Sequence, residues 1–168
     1  MIVELKKIKK AESNQLIEHY LNGKLLSGFG ETFLAWTEDE VKEQVFDVKK
    51  KRTTWDFSIE TDGKGAGILS FRSIDYENRN AIMYITLFDI IEKSEEDVTR
   101  IMRECIDFAF HQMDLFRLEG FVTDDRYKKI LANLGFAIEA EIEGIDFRGG
   151  KRVNRLVYGL LKNEYEEV

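Results

Sequence analysis

Residues 81–90 (Ala-Ile-Met-Tyr-Ile-Thr-Leu-Phe-Asp-Ile) are almost continuously apolar, and this run sets the architecture. A segment that apolar and that short reads as a strand covered on both faces. The sheet that holds it therefore needs material packed on either side. The neighbouring patterns agree. Trp55, Phe57 and Ile59 alternate with Asp56, Ser58 and Glu60, the period-2 signature of a strand with one buried face. Residues 61–65 read as a hairpin turn, because Asp62-Gly63 supplies the positive φ that a tight connection needs. Residues 66–74 are then the partner strand.

Helices flank these strands. From Ser94 to Met113, apolar side chains recur at Val98, Ile101, Met102, Cys105, Ile106, Ala109 and Met113, one stripe at helical spacing. Ser94 and Asp97 have the spacing of a capping box that fixes the start. A strand over 115–122 and a helix over 124–134 follow. That helix turns Tyr127, Ile130, Leu131 and Leu134 inward and ends on a Gly135 cap. Strands over 137–142 and 153–161, joined by a polar loop over 143–152, close the chain. At the other end, residues 2–8 read as a strand, 11–21 as a helix stopped by Asn22-Gly23, 24–37 as loop and 38–50 as a charged helix. The expected order is β-α-α-β-β-β-α-β-α-β-β, an α+β fold with a mixed sheet flanked by helices.

Composition narrows the function classes. With 43% hydrophobic residues in 168, the chain has enough apolar surface for one cored domain over 1–168. A single cysteine, Cys105, excludes a disulfide framework and sits on the helical stripe as a core thiol. His19 and His111 have no cysteine or carboxylate at ligand spacing, so no metal is expected. A net charge of −7 argues against nucleic acid as a partner. No run approaches the ~20 apolar residues of a membrane span, and the opening Met-Ile-Val-Glu-Leu-Lys is no leader. A soluble, cytoplasmic protein is expected.

The phrase Phe108-Ala109-Phe110-His111-Gln112-Met113-Asp114-Leu115-Phe116-Arg117-Leu118-Glu119, then Leu134-Gly135-Phe136, set in this element order, resembles the GNAT superfamily of acetyl-CoA-dependent N-acetyltransferases. Within it, the branch that acetylates the N-terminal alanine of ribosomal proteins is the most similar. The resemblance implies transfer of an acetyl group from acetyl-CoA, as co-substrate, to a primary amine of a small molecule or peptide. It implies that the backbone of Leu87, Phe88 and Asp89 pairs with the pantetheine arm. It also implies that residues 93–98 form the pyrophosphate loop, where backbone N–H groups and a helix N-terminus meet the anion.

At that loop the chain departs from the family pattern Q/R-x-x-G-x-G/A. It reads Lys93-Ser94-Glu95-Glu96-Asp97-Val98, with Glu96 and Val98 at the glycine positions. Between Asp89 and Asp107, seven acids stand against three bases. The chain has no proline where about eight would be average; relatives often carry one at the position of Ile90. Asp124 replaces a usual Asn, and is either a helix N-cap or a contact to the pantetheine amide. Leu131 replaces the Tyr that often protonates the leaving thiolate. Tyr127, one turn earlier, either supplies that hydroxyl or packs as an apolar ring. Glu31, after Gly28-Phe29-Gly30, is the candidate base.

Three readings follow from these departures. The chain is an acetyltransferase with an unusual loop, a catalytically inactive GNAT-fold binding or assembly module, or a host for a different acyl donor. The glycines Gly63, Gly65 and Gly67 look like a phosphate cradle but lie between two strands, which makes them a turn. Arg148, Lys151, Arg152 and Arg155 form the best basic patch, decorating the last hairpin or meeting an acidic partner. A homodimer through the edge strands or last hairpin is expected.

Overall fold

The computed structural model describes residues 1–8, 25–29, 53–88, 93–122 and 125–167. The helices expected over 11–21 and 38–50 lie outside them. Among the described residues, the strands are β1 (Val3–Lys7), β2 (Leu25–Phe29), β3 (Trp55–Thr61), β4 (Lys64–Asp75), β5 (Asn80–Phe88), β6 (Arg117–Val122), β7 (Ala137–Arg148) and β8 (Lys151–Leu161). The helices are α1 (Glu95–Asp107), α2 (Asp125–Asn133) and α3 (Lys162–Glu166), with a π-helical turn (Phe108–Gln112) extending α1. One mixed sheet runs β1-β3-β4-β5-β6-β8-β7, and β2 pairs with β5 off that path. The α+β architecture is the expected one.

The hairpin β3–β4 forms where Asp62-Gly63 indicated. Both residues have positive φ, +49° and +76°, and Thr61 pairs with Lys64 across a two-residue turn. Strand β5 is covered differently along its length. Ala81 and Met83 are buried while Ile82 and Tyr84 are half-exposed; from Ile85 to Phe88 all four residues are buried. One sheet face carries Phe57, Ile59, Leu69, Phe71, Met83, Leu118, Tyr158 and Leu160 against the α1 stripe and against Tyr127, Ile130, Leu131 and Leu134 of α2. Each fully buried side chain of this size stabilises the fold by about 1.5–3 kcal/mol.

Ser94 caps α1. Its hydroxyl accepts from the Asp97 N–H at 3.1 Å and donates to the Asp97 carboxylate at 2.7 Å. Helix α2 ends as expected: Gly135 at φ +86° lets the Phe136 N–H reach the Leu131 carbonyl at 3.0 Å.

Four expectations need correction. Residues 25–29, read as loop, are strand β2, because β5 offers its backbone a partner that the local pattern does not reveal. The helix expected to run α-helical to Met113 widens after Asp107. The Met113 N–H bonds to the Phe108 carbonyl at 3.1 Å, and this wider turn buries adjacent Ala109 and Phe110 together. The Phe110 carbonyl accepts from Lys162 Nζ at 3.1 Å, at the start of the unforeseen α3.

The polar segment 143–152 is not a loop but the end of a long hairpin whose two-residue turn is Gly149-Gly150, with φ +54° and +78°. Its ladder is broken between Ile142 and Asp146. There Gly144 takes φ +59°, and Asn154 spans the irregularity, accepting from the Gly144 N–H at 2.9 Å and donating to Glu141 at 2.8 Å.

Candidate functional site

The seam between the two halves of the sheet is its most distinctive feature. Strands β5 and β6 run parallel and pair only through Asn80–Arg117, Ala81–Leu118 and Ile82–Glu119. Beyond Ile82 they part. Strand β5 continues six residues to Phe88, held on its other edge by β4 as far as the Gly67–Leu87 pair. That edge is tight: a Cβ on Gly67 would lie 2.3 Å from the Thr86 carbonyl oxygen. At the parting, Tyr84 and Phe121 face each other with ring centroids 6.2 Å apart, and the Arg155 guanidinium lies 5.4 Å over the Phe121 ring. Arg155 also pairs with Asp146 of β7.

A groove of about 730 Å³ runs along the start of α1 beside α2. Glu95, Glu96 and Glu104 line it together with Arg100, Arg103 and Lys129. Lys129 Nζ lies 2.9 Å from Glu95 Oε1 and ties the two helices across the groove. The local acid excess read along 89–107 is therefore not the charge of the groove. Three carboxylates meet three cations there, and the positive end of the α1 dipole is added to them. Both side chains of the Lys129–Glu95 pair are more than half exposed, so the tie is weak and water-screened.

Behind the parting, β6, β8 and β7 are cross-linked by charge. Arg117 donates from both terminal nitrogens to Glu139, at 2.7 and 2.5 Å, and also approaches Glu119 at 3.5 Å. The pair passes over Gly159 of the intervening strand, where a Cβ would stand 2.1 Å from the Glu139 carboxylate. The Arg117 guanidinium holds the Glu139 carboxyl below its ordinary range.

The structure places the expected site residues in three groups. Leu87 and Phe88 are buried on the stretch of β5 that leaves β6 behind. Lys93, Ser94, Glu95, Glu96, Asp97 and Val98 form the approach to α1 and its first turn, with Val98 buried in the core. Tyr127 lies in the core face of α2 with Leu131 one turn on. Asp89, Asp124 and Glu31 lie outside the described residues. Cys105 is fully buried, and burial pushes its thiol pKa up, which keeps it protonated. Sequence reasoning missed Lys129, which reaches the groove only through tertiary packing, and the Arg117–Glu139 link, whose partners are separated by a whole helix. Among the described residues, no cluster of three His, Cys, Asp or Glu side chains is placed to hold a metal ion, and no helix is long and apolar enough to cross a membrane.

No protein-family model and no curated protein sequence matches this chain. Solved structures do. Mutant forms of the spermidine/spermine N-acetyltransferase SpeG from Vibrio cholerae superpose with a TM-score of 0.79 at 15% identity, covering 98% of this chain and 96% of that one. A chimera of that enzyme with hSSAT gives 0.79 at 16% identity over 99% of both chains. The same enzyme in complex with manganese ions gives 0.77 at 16%, covering 98% and 95%. The chain thus has the fold of the GNAT N-acetyltransferases over nearly its whole length.

Proposed function

We propose that this chain is an N-acetyltransferase that moves an acetyl group from acetyl-CoA to a primary amine. The observation that supports it most is the parting of β5 and β6 after a three-pair ladder, in a fold that its structural neighbours use for amine acetylation. A parallel strand that loses its neighbour turns N–H and C=O groups in line toward the gap, where β2 pairs with them, and the amides of a pantetheine arm are the alternative partners. The residues around the parting suit the donor. Leu87, Phe88 and Asp89 carry the arm in this reading, and the groove takes the diphosphate through Lys93, the α1 N-terminus, Arg100, Arg103 and Lys129. Glu95, Glu96 and Asp97 weaken that site without abolishing it, since the cations balance them.

The amine nitrogen attacks the thioester carbonyl carbon, the new C–N bond forms and the C–S bond breaks. The ammonium proton leaves to water or a base, for which Glu31 is the candidate, and the thiolate takes a proton from Tyr127 or water. SpeG is named for acting on spermidine and spermine, which makes a polyamine the first acceptor to try and a peptide N-terminus the second. Calorimetry with acetyl-CoA, followed by thiol release with spermidine and with an N-terminal alanine peptide, tests the reading. Micromolar binding and turnover with either amine are expected; no heat and no thermal shift at millimolar acetyl-CoA would overturn it. Tyr127→Phe separates the proton donors: a roughly tenfold or larger loss of kcat at constant KM assigns the hydroxyl to the thiolate.

A further inference from the structure

A strand has two edges, and on β5 both are assigned. Strand β4 holds one edge from Asp75–Asn80 to Gly67–Leu87. Strand β6 holds the other at residues 80–82. The four pairs Leu25–Phe88, Leu26–Leu87, Ser27–Thr86 and Phe29–Ile85 must therefore lie on the edge that β6 vacates. Strand β2 also runs beside β6, so it stands within the parting itself. We infer that residues 25–29 are an internal competitor for the acyl donor: they occupy the backbone edge of β5 that the donor's amide arm takes, and the donor binds by displacing them.

The inference rests on the acetyltransferase reading and adds a gate to it. The edge is the same, the residues are the same (Leu87 and Phe88), and a backbone N–H or C=O directed at β2 is not available to a pantetheine amide at the same time. Apparent donor affinity then falls by the fraction of molecules in which β2 is released. If β2 is docked in about ten molecules for each one open, removing its pairing tightens acetyl-CoA binding about tenfold. The strand is suited to release. It is five residues long, and its register slips at Gly28 between Ser27 and Phe29, so its ladder with β5 is short and interrupted.

Two single variants test this, Leu26→Pro and Ser27→Pro, because consecutive N–H groups face opposite edges and only one of the two is directed at β5. At least one variant is expected to bind acetyl-CoA about tenfold more tightly than the natural chain by calorimetry. Hydrogen exchange on the unmodified chain supplies a second measurement that no folding defect can obscure. Saturating acetyl-CoA should speed exchange at 25–29 while keeping 85–88 protected. Equal or weaker affinity in both variants, with exchange at 25–29 unchanged by the donor, would overturn the gate and leave the acetyltransferase reading standing. Absence of acetyl-CoA binding in all three chains would overturn the acetyltransferase reading, and the gate with it.

Discussion

The two edges of β5 are built on opposite principles. Towards β4 the chain runs an antiparallel ladder through Gly67–Leu87, so close that a methyl group on Gly67 would strike the Thr86 carbonyl. Towards β6 it makes three parallel pairs and stops. The first edge is part of the stable body of the domain. The second is a seam whose far side, β6-β8-β7, is braced by its own charge links rather than by β5. One strand thus serves as a rigid wall and as the lip of an opening, and rigidity on one side is what allows the other to be held only by the short, interrupted pairing with β2.

The largest loss is expected at the seam itself. Leu118 pairs with Ala81 on the short ladder and is fully buried in the shared core. Leu118→Ala is expected to cost about 3–5 kcal/mol by chemical denaturation, from lost burial plus the cavity left behind. A loss under 1 kcal/mol would show that the two halves of the sheet are stable without their seam. Gly67→Ala attacks the tight edge. With the nearest atom a backbone oxygen at 2.3 Å, β5 must shift as a whole, and about 2–3 kcal/mol is expected, or roughly 4–12 °C in Tm. The same shift should weaken acetyl-CoA binding, since Thr86 and Leu87 belong to both edges.

How much of this was legible in the sequence follows from where each signal is encoded. The β3–β4 hairpin was readable because its alternation and its Asp62-Gly63 turn are local. The α1 stripe was readable for the same reason, while its π-helical turn was not, because Ala109 and Phe110 are buried together by the packing around them. The extent of β7 escaped detection. Ile138, Ala140 and Ile142 alternate with Glu139, Glu141 and Glu143, but the phase slips by one residue at Gly144 before Ile145 and Phe147, so no continuous period of two marks the strand to its end. Strand β2 escaped because Gly28-Phe29-Gly30 has the composition of a loop, and only the distant β5 makes it a strand. At the candidate site, the family resemblance points to residues 93–98, whereas Lys129 reaches the groove across two elements. A one-dimensional charge count therefore misjudged the groove.

The braced side of the seam offers a smaller test. Gly159→Ala places a methyl group where the Glu139 carboxylate and the Arg117 guanidinium now lie, with nearest approaches of 2.1 and 2.7 Å. Here the obstacle is the far end of two flexible side chains rather than backbone, so the pair swings aside instead of the sheet moving. About 1 kcal/mol is expected, well below the effect of the same substitution at Gly67, and equal losses at the two glycines would erase the distinction between the tight β4–β5 edge and the charge-braced far side of the seam.

Glu139→Gln probes the same link without steric change and should give the smallest effect. The pair is two-pronged but over a quarter exposed on both sides, so at neutral pH the loss is expected to be about 1 kcal/mol or less. Its pH dependence has a definite sign. The Arg117 hydrogen bonds hold the Glu139 pKa in the folded state below its ordinary value of 4.5. The native chain's advantage over the variant is therefore complete above about pH 5 and is lost as pH falls through the lowered folded value. Paired denaturation curves at pH 7, 5 and 3 would show a difference that is constant between the first two and shrinks at the third. A difference that grew on acidification would mean that Glu139 is carried protonated in the folded state, and that Arg117 braces β6 against β8 and β7 through another partner.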